Sequence, residues 1–239
     1  MKRLGLLVVM CSLVPLAASA GTVTVAWMGG PRVDAYYGGT DGSGGTRVAT
    51  YAGDFKVTNS VADPVPGLQQ APFYTFCVDL QHYSTSSSKA TLDSMANWGL
   101  FSGASPEQLA QASWVGSQYF ASLRPTGSTA AATIASYQIA IWELLYERSG
   151  TFSAFGGGGT AWFAPVAGGV DDAILNAANA LVTASASHTN FYEGWLRTDD
   201  PKGTSYAQDF MAPVPDSGAT AALMGLSMLG LAFLKRLRG

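Results

Sequence analysis

Cys77 and Gln138 are the two residues in this chain whose types and settings invite chemistry with each other. Cys77 lies in Phe73-Tyr74-Thr75-Phe76-Cys77-Val78-Asp79-Leu80, and Gln138 in Ser136-Tyr137-Gln138-Ile139-Ala140-Ile141-Trp142-Glu143. A cysteine thiolate attacks a carboxamide carbon, ammonia leaves, and an intramolecular thioester remains. Holding the two groups at contact distance supplies the rate. In a dry, aromatic-walled pocket the product hydrolyses slowly, and Phe73, Phe76, Tyr137 and Trp142 can supply such walls. An amine or hydroxyl on a target then displaces Cys77, and the target stays bonded to the Gln138 side chain. Such a protein acts once per molecule and is not a turnover enzyme.

Each residue also has a plainer reading. The other cysteine, Cys11, sits in a leader-like segment, so Cys77 is the odd thiol of an exported chain. A buried free cysteine can be an inert small hydrophobe. Gln138 has Ile134, Ile141 and Trp142 three or four positions away on a helical face. A buried amide needs hydrogen bonds, and a structural glutamine finds them on nearby backbone. Asp79 shares the strand face of Cys77. An unpaired carboxylate there raises the thiol pKa, so a neutral or hydrogen-bonded role suits it better. A hydrolase using Cys77 with His82 or His188 is the enzymatic alternative. Asp171-Asp172 and Asp199-Asp200 lack the ligand spacing of a calcium loop, and the glycine-rich loops lack phosphate-binding spacing. No metal and no cofactor is expected. Trp98, Trp114, Trp162 and Trp195 fit core or rim packing, with carbohydrate binding as a weaker alternative.

The elements that must position the pair follow from periodicity. Thr22 to Trp27 alternates as a strand. Gly29 to Gly45 reads as a long glycine-rich loop, and Arg47 to Thr58 as a strand interrupted at Gly53. Phe73 to Leu80 is the strongest strand, apolar on both faces and so covered on both sides. Ser105-Pro106-Glu107-Gln108 opens a helix that runs to about Leu123. Ala130 to Glu147 is a second helix, with Ile134, Tyr137, Ile141 and Leu145 on its apolar face. Asp171-Asp172 opens a third, with Ile174, Leu175, Leu181 and Val182 inward. Asn190 to Arg197 and Tyr206 to Met211 read as short closing strands. Strands, then helices, then strands imply an α+β fold, a β-sandwich or barrel with an inserted helical subdomain.

The ends read as addresses. Residues 1–20 combine Lys2 and Arg3, an apolar run from Leu4 to Leu16 and Ala18-Ser19-Ala20, the pattern of a secretory signal peptide. Residues 21–212 form the body. It is acidic: 15 of the 16 Asp and Glu but eight of the 13 Lys and Arg fall in residues 21–215. That argues against nucleic acid as a partner. Residues 213–239 carry Val214-Pro215-Asp216-Ser217-Gly218, an apolar run from Ala219 to Leu234 and a basic tail from Lys235 to Arg238. The run reads as a short transmembrane helix whose basic end stays in the cytoplasm.

Two resemblances add to this. The C-terminal segment resembles the VPDSG variant of the PEP-CTERM sorting signals. That implies an exosortase as partner, transient anchoring in the inner membrane, and a place in the cell envelope, on the outer surface or in the extracellular matrix. Gln138-Ile139-Ala140-Ile141-Trp142 and Phe76-Cys77 resemble the TQxA and aromatic-Cys motifs of bacterial surface thioester domains, with Tyr137 where that family usually has Thr. This second resemblance implies a Cys77–Gln138 thioester, with Phe76, Asp79, Tyr137 and Trp142 supporting it. Its partners would be amines on surface proteins or hydroxyls on polysaccharides, an adhesin-like role. A passive exopolysaccharide or biofilm matrix protein of the same fold, without the bond, is the alternative from a different class.

Overall fold

The computed structural model describes residues 20–38, 45–80, 86–94, 104–120, 124–147, 152, 160–190, 193–199 and 208–213. Their order is β1 (Gly21–Trp27), β2 (Arg32–Tyr37), β3 (Thr46–Tyr51), β4 (Phe55–Asn59), β5 (Phe73–Thr75), β6 (Ser87–Ser94), α1 (Pro106–Phe120), α2 (Ala130–Tyr146), β7 (Ala161–Ala164), α3 (Asp172–Ser185), β8 (Gly194–Asp199) and β9 (Phe210–Ala212). The class is α+β, as expected.

Six strands form an antiparallel sheet in the order β5-β4-β1-β6-β8-β9. Its two edges nearly meet, because Cys77, just beyond β5, makes an antiparallel bridge to Phe210 of β9. Two backbone bonds close this seam: Met211 N–H to Phe76 O at 3.0 Å, and Val78 N–H to Asp209 O at 3.0 Å. A smaller antiparallel sheet, β3-β2-β7, completes the β structure.

The three helices pack mainly on one another and share one apolar core with the sheets. α2 lies against both α1 and α3, and it also touches β7. Ile134, Ala135, Ile139, Ala140, Ile141, Trp142, Leu144 and Leu145 are all buried, so α2 is wrapped on nearly every side. A helix apolar all round belongs in an interior. The predicted starts are present. Ser105 Oγ accepts the Gln108 N–H at 3.2 Å, and Gln108 Oε1 accepts the Ser105 N–H at 2.8 Å, a reciprocal cap. Asp171 Oδ1 accepts the Ile174 N–H at 3.0 Å.

Three expectations are corrected. The glycine-rich stretch from Gly29 holds β2, whose Val33 and Ala35 are buried while Arg32 is exposed. Arg47 to Thr58 is two strands in two different sheets, β3 and β4, parted at Ala52-Gly53-Asp54. A Cβ at Gly53 would run into the Gly29 carbonyl and the Trp27 ring, so the chain crosses over where only glycine fits. Phe73 to Leu80 pairs as a strand only as far as Thr75. β6, a polar strand at Ser87–Ser94, had no apolar alternation to announce it. The leader up to Ser19, His82, Trp98, Asp200, the sorting residues Val214, Pro215, Asp216, Ser217 and Gly218, and the apolar run to Leu234 lie outside the described residues. Among the described residues no helix is long and apolar enough to cross a membrane.

Candidate functional site

The chain after β5 leaves its ladder and turns round the Cys77 sulfur. Cys77 Sγ–H donates to Asp79 O at 2.7 Å, and the Asp79 N–H donates to Sγ at 3.2 Å. These local bonds hold the turn after Cys77, while on one side the Phe76–Val78 backbone pairs with β9 across the seam. They leave the Cys77 peptide groups facing α2.

Gln138 meets them there. The Cys77 N–H donates to Gln138 Oε1 at 3.1 Å, and Gln138 Nε2 donates to Cys77 O at 2.8 Å. Both residues are 0% exposed. The carboxamide is satisfied at both ends, as a buried amide must be.

α2 makes two further contacts on the same stripe. Trp142 and Tyr146 follow Gln138 at intervals of four, one helical turn each. The Trp142 indole N–H is buried without a hydrogen-bond partner among the described residues, and the indole lies near enough to the Cys77 thiol to lower its pKa. Tyr146 Oη accepts the Leu80 N–H at 2.9 Å. Gln138 and Tyr146 of one helix thus hold Cys77 and Leu80, with Trp142 between them on the same stripe.

Aromatic packing surrounds the pair. Phe76 precedes Cys77 and Tyr137 precedes Gln138, and their rings stack with centroids 6.1 Å apart. Tyr119 of α1 joins both, at 4.5 Å from Phe76 and 5.6 Å from Tyr137. Trp142 packs on Phe163 of β7 at 6.2 Å. Phe73 is buried on β5. Behind Tyr119 lies a buried ionic group: Asp54 accepts from Tyr119 Oη at 2.7 Å and from Arg124 Nε at 2.6 Å and Nη2 at 3.0 Å.

The electrostatics keep the thiol protonated. Burial pushes the Cys77 thiol well above its ordinary value, and the Asp79 carboxylate adds to the rise. The Asp79 backbone N–H and the Trp142 indole offset only part of it. Asp209, the residue just before the strand that bridges to Cys77, is raised to about 7, mainly by burial. The Thr198 N–H bonded to its Oδ1 at 2.8 Å works the other way. Tyr146 is raised well above the ordinary phenol range by burial and by Asp79.

The remaining candidates sit elsewhere in the packing. His188 stacks on Trp114 of α1, with ring centroids 4.2 Å apart, and no hydrogen bond joins it to Cys77. Trp195 is buried in β8, and Trp162 stacks on Tyr36. Among the described residues no cluster of His, Cys, Asp or Glu is arranged to hold a metal. Sequence reasoning missed Tyr146, Tyr119 and Asp209. The first had a signal, the interval of four from Gln138 through Trp142. The other two are brought in by tertiary packing that no local pattern reveals.

Residues 213–238 match the VPDSG-CTERM motif. That match supports an exported protein, processed by an exosortase and associated with the cell surface. No curated protein and no solved structure matches the chain.

Proposed function

We propose that this exported surface protein carries an internal thioester between Cys77 and Gln138 and uses it once, to bond covalently to an amine or hydroxyl. The observation that carries the reading is the pair of hydrogen bonds that clamp the Gln138 carboxamide on the Cys77 backbone. In the forming step Cys77 Sγ bonds to the Gln138 amide carbon and the C–N bond breaks. The thiol proton goes to the departing nitrogen, which leaves as ammonia. The Cys77 N–H already donates to Oε1, the atom where negative charge develops, so it serves as an oxyanion donor. Because burial holds the thiol protonated, its proton must transfer as the nitrogen departs, not beforehand. Phe76, Tyr137 and Trp142 limit water at the product. In the capture step a nucleophile replaces sulfur on the Gln138 carbonyl, and the thiol is regenerated. The targets on this reading are surface-protein amines or polysaccharide hydroxyls, and the C-terminal segment delivers the domain to the surface.

A second reading has its own observation. The thiol donates to Asp79 O, and the carboxamide bonds both peptide groups of Cys77, an arrangement that also serves as a purely structural tie. On that reading the protein is a passive matrix component.

Intact mass of the protein recovered after export separates the two. A thioester makes it one ammonia lighter than the sequence of the recovered chain requires, and methylamine adds one methylamine. A mass equal to the sequence value, with Cys77 titrating as a free thiol on unfolding, leaves only the structural tie.

A further inference from the structure

The outer face of the β3-β2-β7 sheet has a built trough that the Cys77–Gln138 chemistry does not use. The strand register lays it out in rows. Asp34 lies between Ala49 and Ala164, so its row is low on both sides. On one side the next row is Arg47, Tyr36 and Trp162, and on the other it is Tyr51 and Arg32. The flanking rows, at Arg32 and Tyr36, are four residue steps apart along β2, about 13 Å of strand. Tyr36 and Trp162 stack face to face, with centroids 3.7 Å apart and planes 3° apart, making one rigid wall. Tyr51, 58% exposed, stands on the other side.

Asp34 forms the floor. It is only 9% exposed. Its Oδ2 accepts from Arg47 Nη2 at 2.6 Å. Its Oδ1 is buried and has no donor among the described residues. A buried carboxylate oxygen without a donor is costly, and such an atom in a native fold calls for an explanation. Oδ1 is closed to solvent, and the neighbouring Oδ2 is bonded to Arg47, whose side chain is 56% exposed, so a ligand donor reaches Oδ1 only with a shift of the side chains around it.

The chemistry of the trough narrows what fits it. Oδ1 needs a donor and the Arg47 guanidinium needs an acceptor. A hydroxyl is both. Aromatic walls need a flat apolar face between them. A phosphate or a second carboxylate meets Asp34 on the floor, and a simple cation meets a carboxylate already paired with Arg47. We infer that this face binds a pyranose unit of a polysaccharide, with the ring against Trp162, Tyr36 and Tyr51 and one hydroxyl on Asp34. The binding is reversible and independent of the thioester.

The test is calorimetric titration of the exported protein with the neutral sugars cellohexaose, chitohexaose and mannohexaose. At least one is expected to bind. Tyr51→Ala, at an exposed position on an edge strand, and Trp162→Ala are each expected to weaken binding at least about tenfold. Asp34→Ala is expected to weaken the same sugar, and Cys77→Ala to leave its affinity unchanged. Unchanged thermal unfolding of Tyr51→Ala shows that lost binding is not lost folding. The inference is overturned if none of the three binds at millimolar concentration, or if Tyr51→Ala and Trp162→Ala both bind as the parent does.

Discussion

The Gln138 side chain docks on Cys77 as a neighbouring strand would, giving its N–H to the Cys77 carbonyl and taking the Cys77 N–H on its oxygen. A helix residue thus stands in for a missing strand at the point where β5 stops. The substitution puts an amide carbon beside a cysteine with both groups buried. It also makes Gln138 a structural residue whatever its chemistry.

Gln138→Ala therefore has two separable effects. It strands the Cys77 N–H and C=O without partners, and at about 1–3 kcal/mol for each buried group the fold loses roughly 2–6 kcal/mol. Denaturant unfolding reads this loss. Intact mass reads the other effect, because the variant has no carboxamide to lose as ammonia. A Gln138→Ala protein as stable as its parent would show that the clamp is not formed.

Tyr146→Phe removes the acceptor of the Leu80 N–H while keeping the ring. A loss of about 1–2 kcal/mol is expected. The Leu80 amide should exchange with solvent faster than in the parent. Unaltered exchange at Leu80 would mean that the tyrosine hydroxyl does not hold this segment.

Arg124→Met leaves Asp54, which is 0% exposed, with Tyr119 Oη in place of a cation. Breaking a buried pair from one side costs about 3–5 kcal/mol. Adding Asp54→Asn to Arg124→Met should restore part of that stability, since the uncompensated charge is gone. A single variant within experimental error of the parent in chemical denaturation contradicts the pairing.

Asp209 predicts a pH dependence. Its carboxyl is raised from 3.8 to about 7 in the fold, so the folded protein binds the proton more tightly than the unfolded chain does. Its effect is absent below the unfolded value. Stability then falls as pH rises between the two values, by at most about 1.4 kcal/mol per unit, and the penalty is complete above the folded one. Asp209→Asn keeps an oxygen for the Thr198 N–H and removes the titration. The slope of unfolding free energy against pH between 4 and 7 should flatten in that variant, and an unchanged slope assigns it to another group.

The helical part of the fold was written in local patterns. The reciprocal Ser105–Gln108 cap, the Asp171 cap and the uninterrupted apolar run of α2 each depend on neighbours in sequence, and each formed as its residues imply. The meeting of Cys77 with Gln138 was legible for a chemical reason: a glutamine amid Ile134, Ile141 and Trp142 must find partners, and an unpaired cysteine marks where to look. The β part was less legible. Gly53 looks like a flaw in one strand but is the crossing between two sheets, because what forbids a Cβ there is the distant Gly29 carbonyl. The trough at Asp34 depends on which residues sit opposite in register, and register between β2, β3 and β7 is set by the packing of the whole sheet.

The seam between Cys77 and Phe210 has a mechanical consequence. β9 ends at Ala212, one residue before the matched sorting segment begins, so any tension applied through that segment enters the domain through β9. That strand is three residues long and is held along its length by β8 and by the Phe76–Val78 backbone. A pull along it loads those hydrogen bonds in shear. On the proposed thioester reading, a target bonded to Gln138 would pull from α2, and the covalent path from there to the sorting segment runs through residues 138–212 alone. The strands β1 to β6 lie off that path, so they can hold the shape of the site without carrying the load.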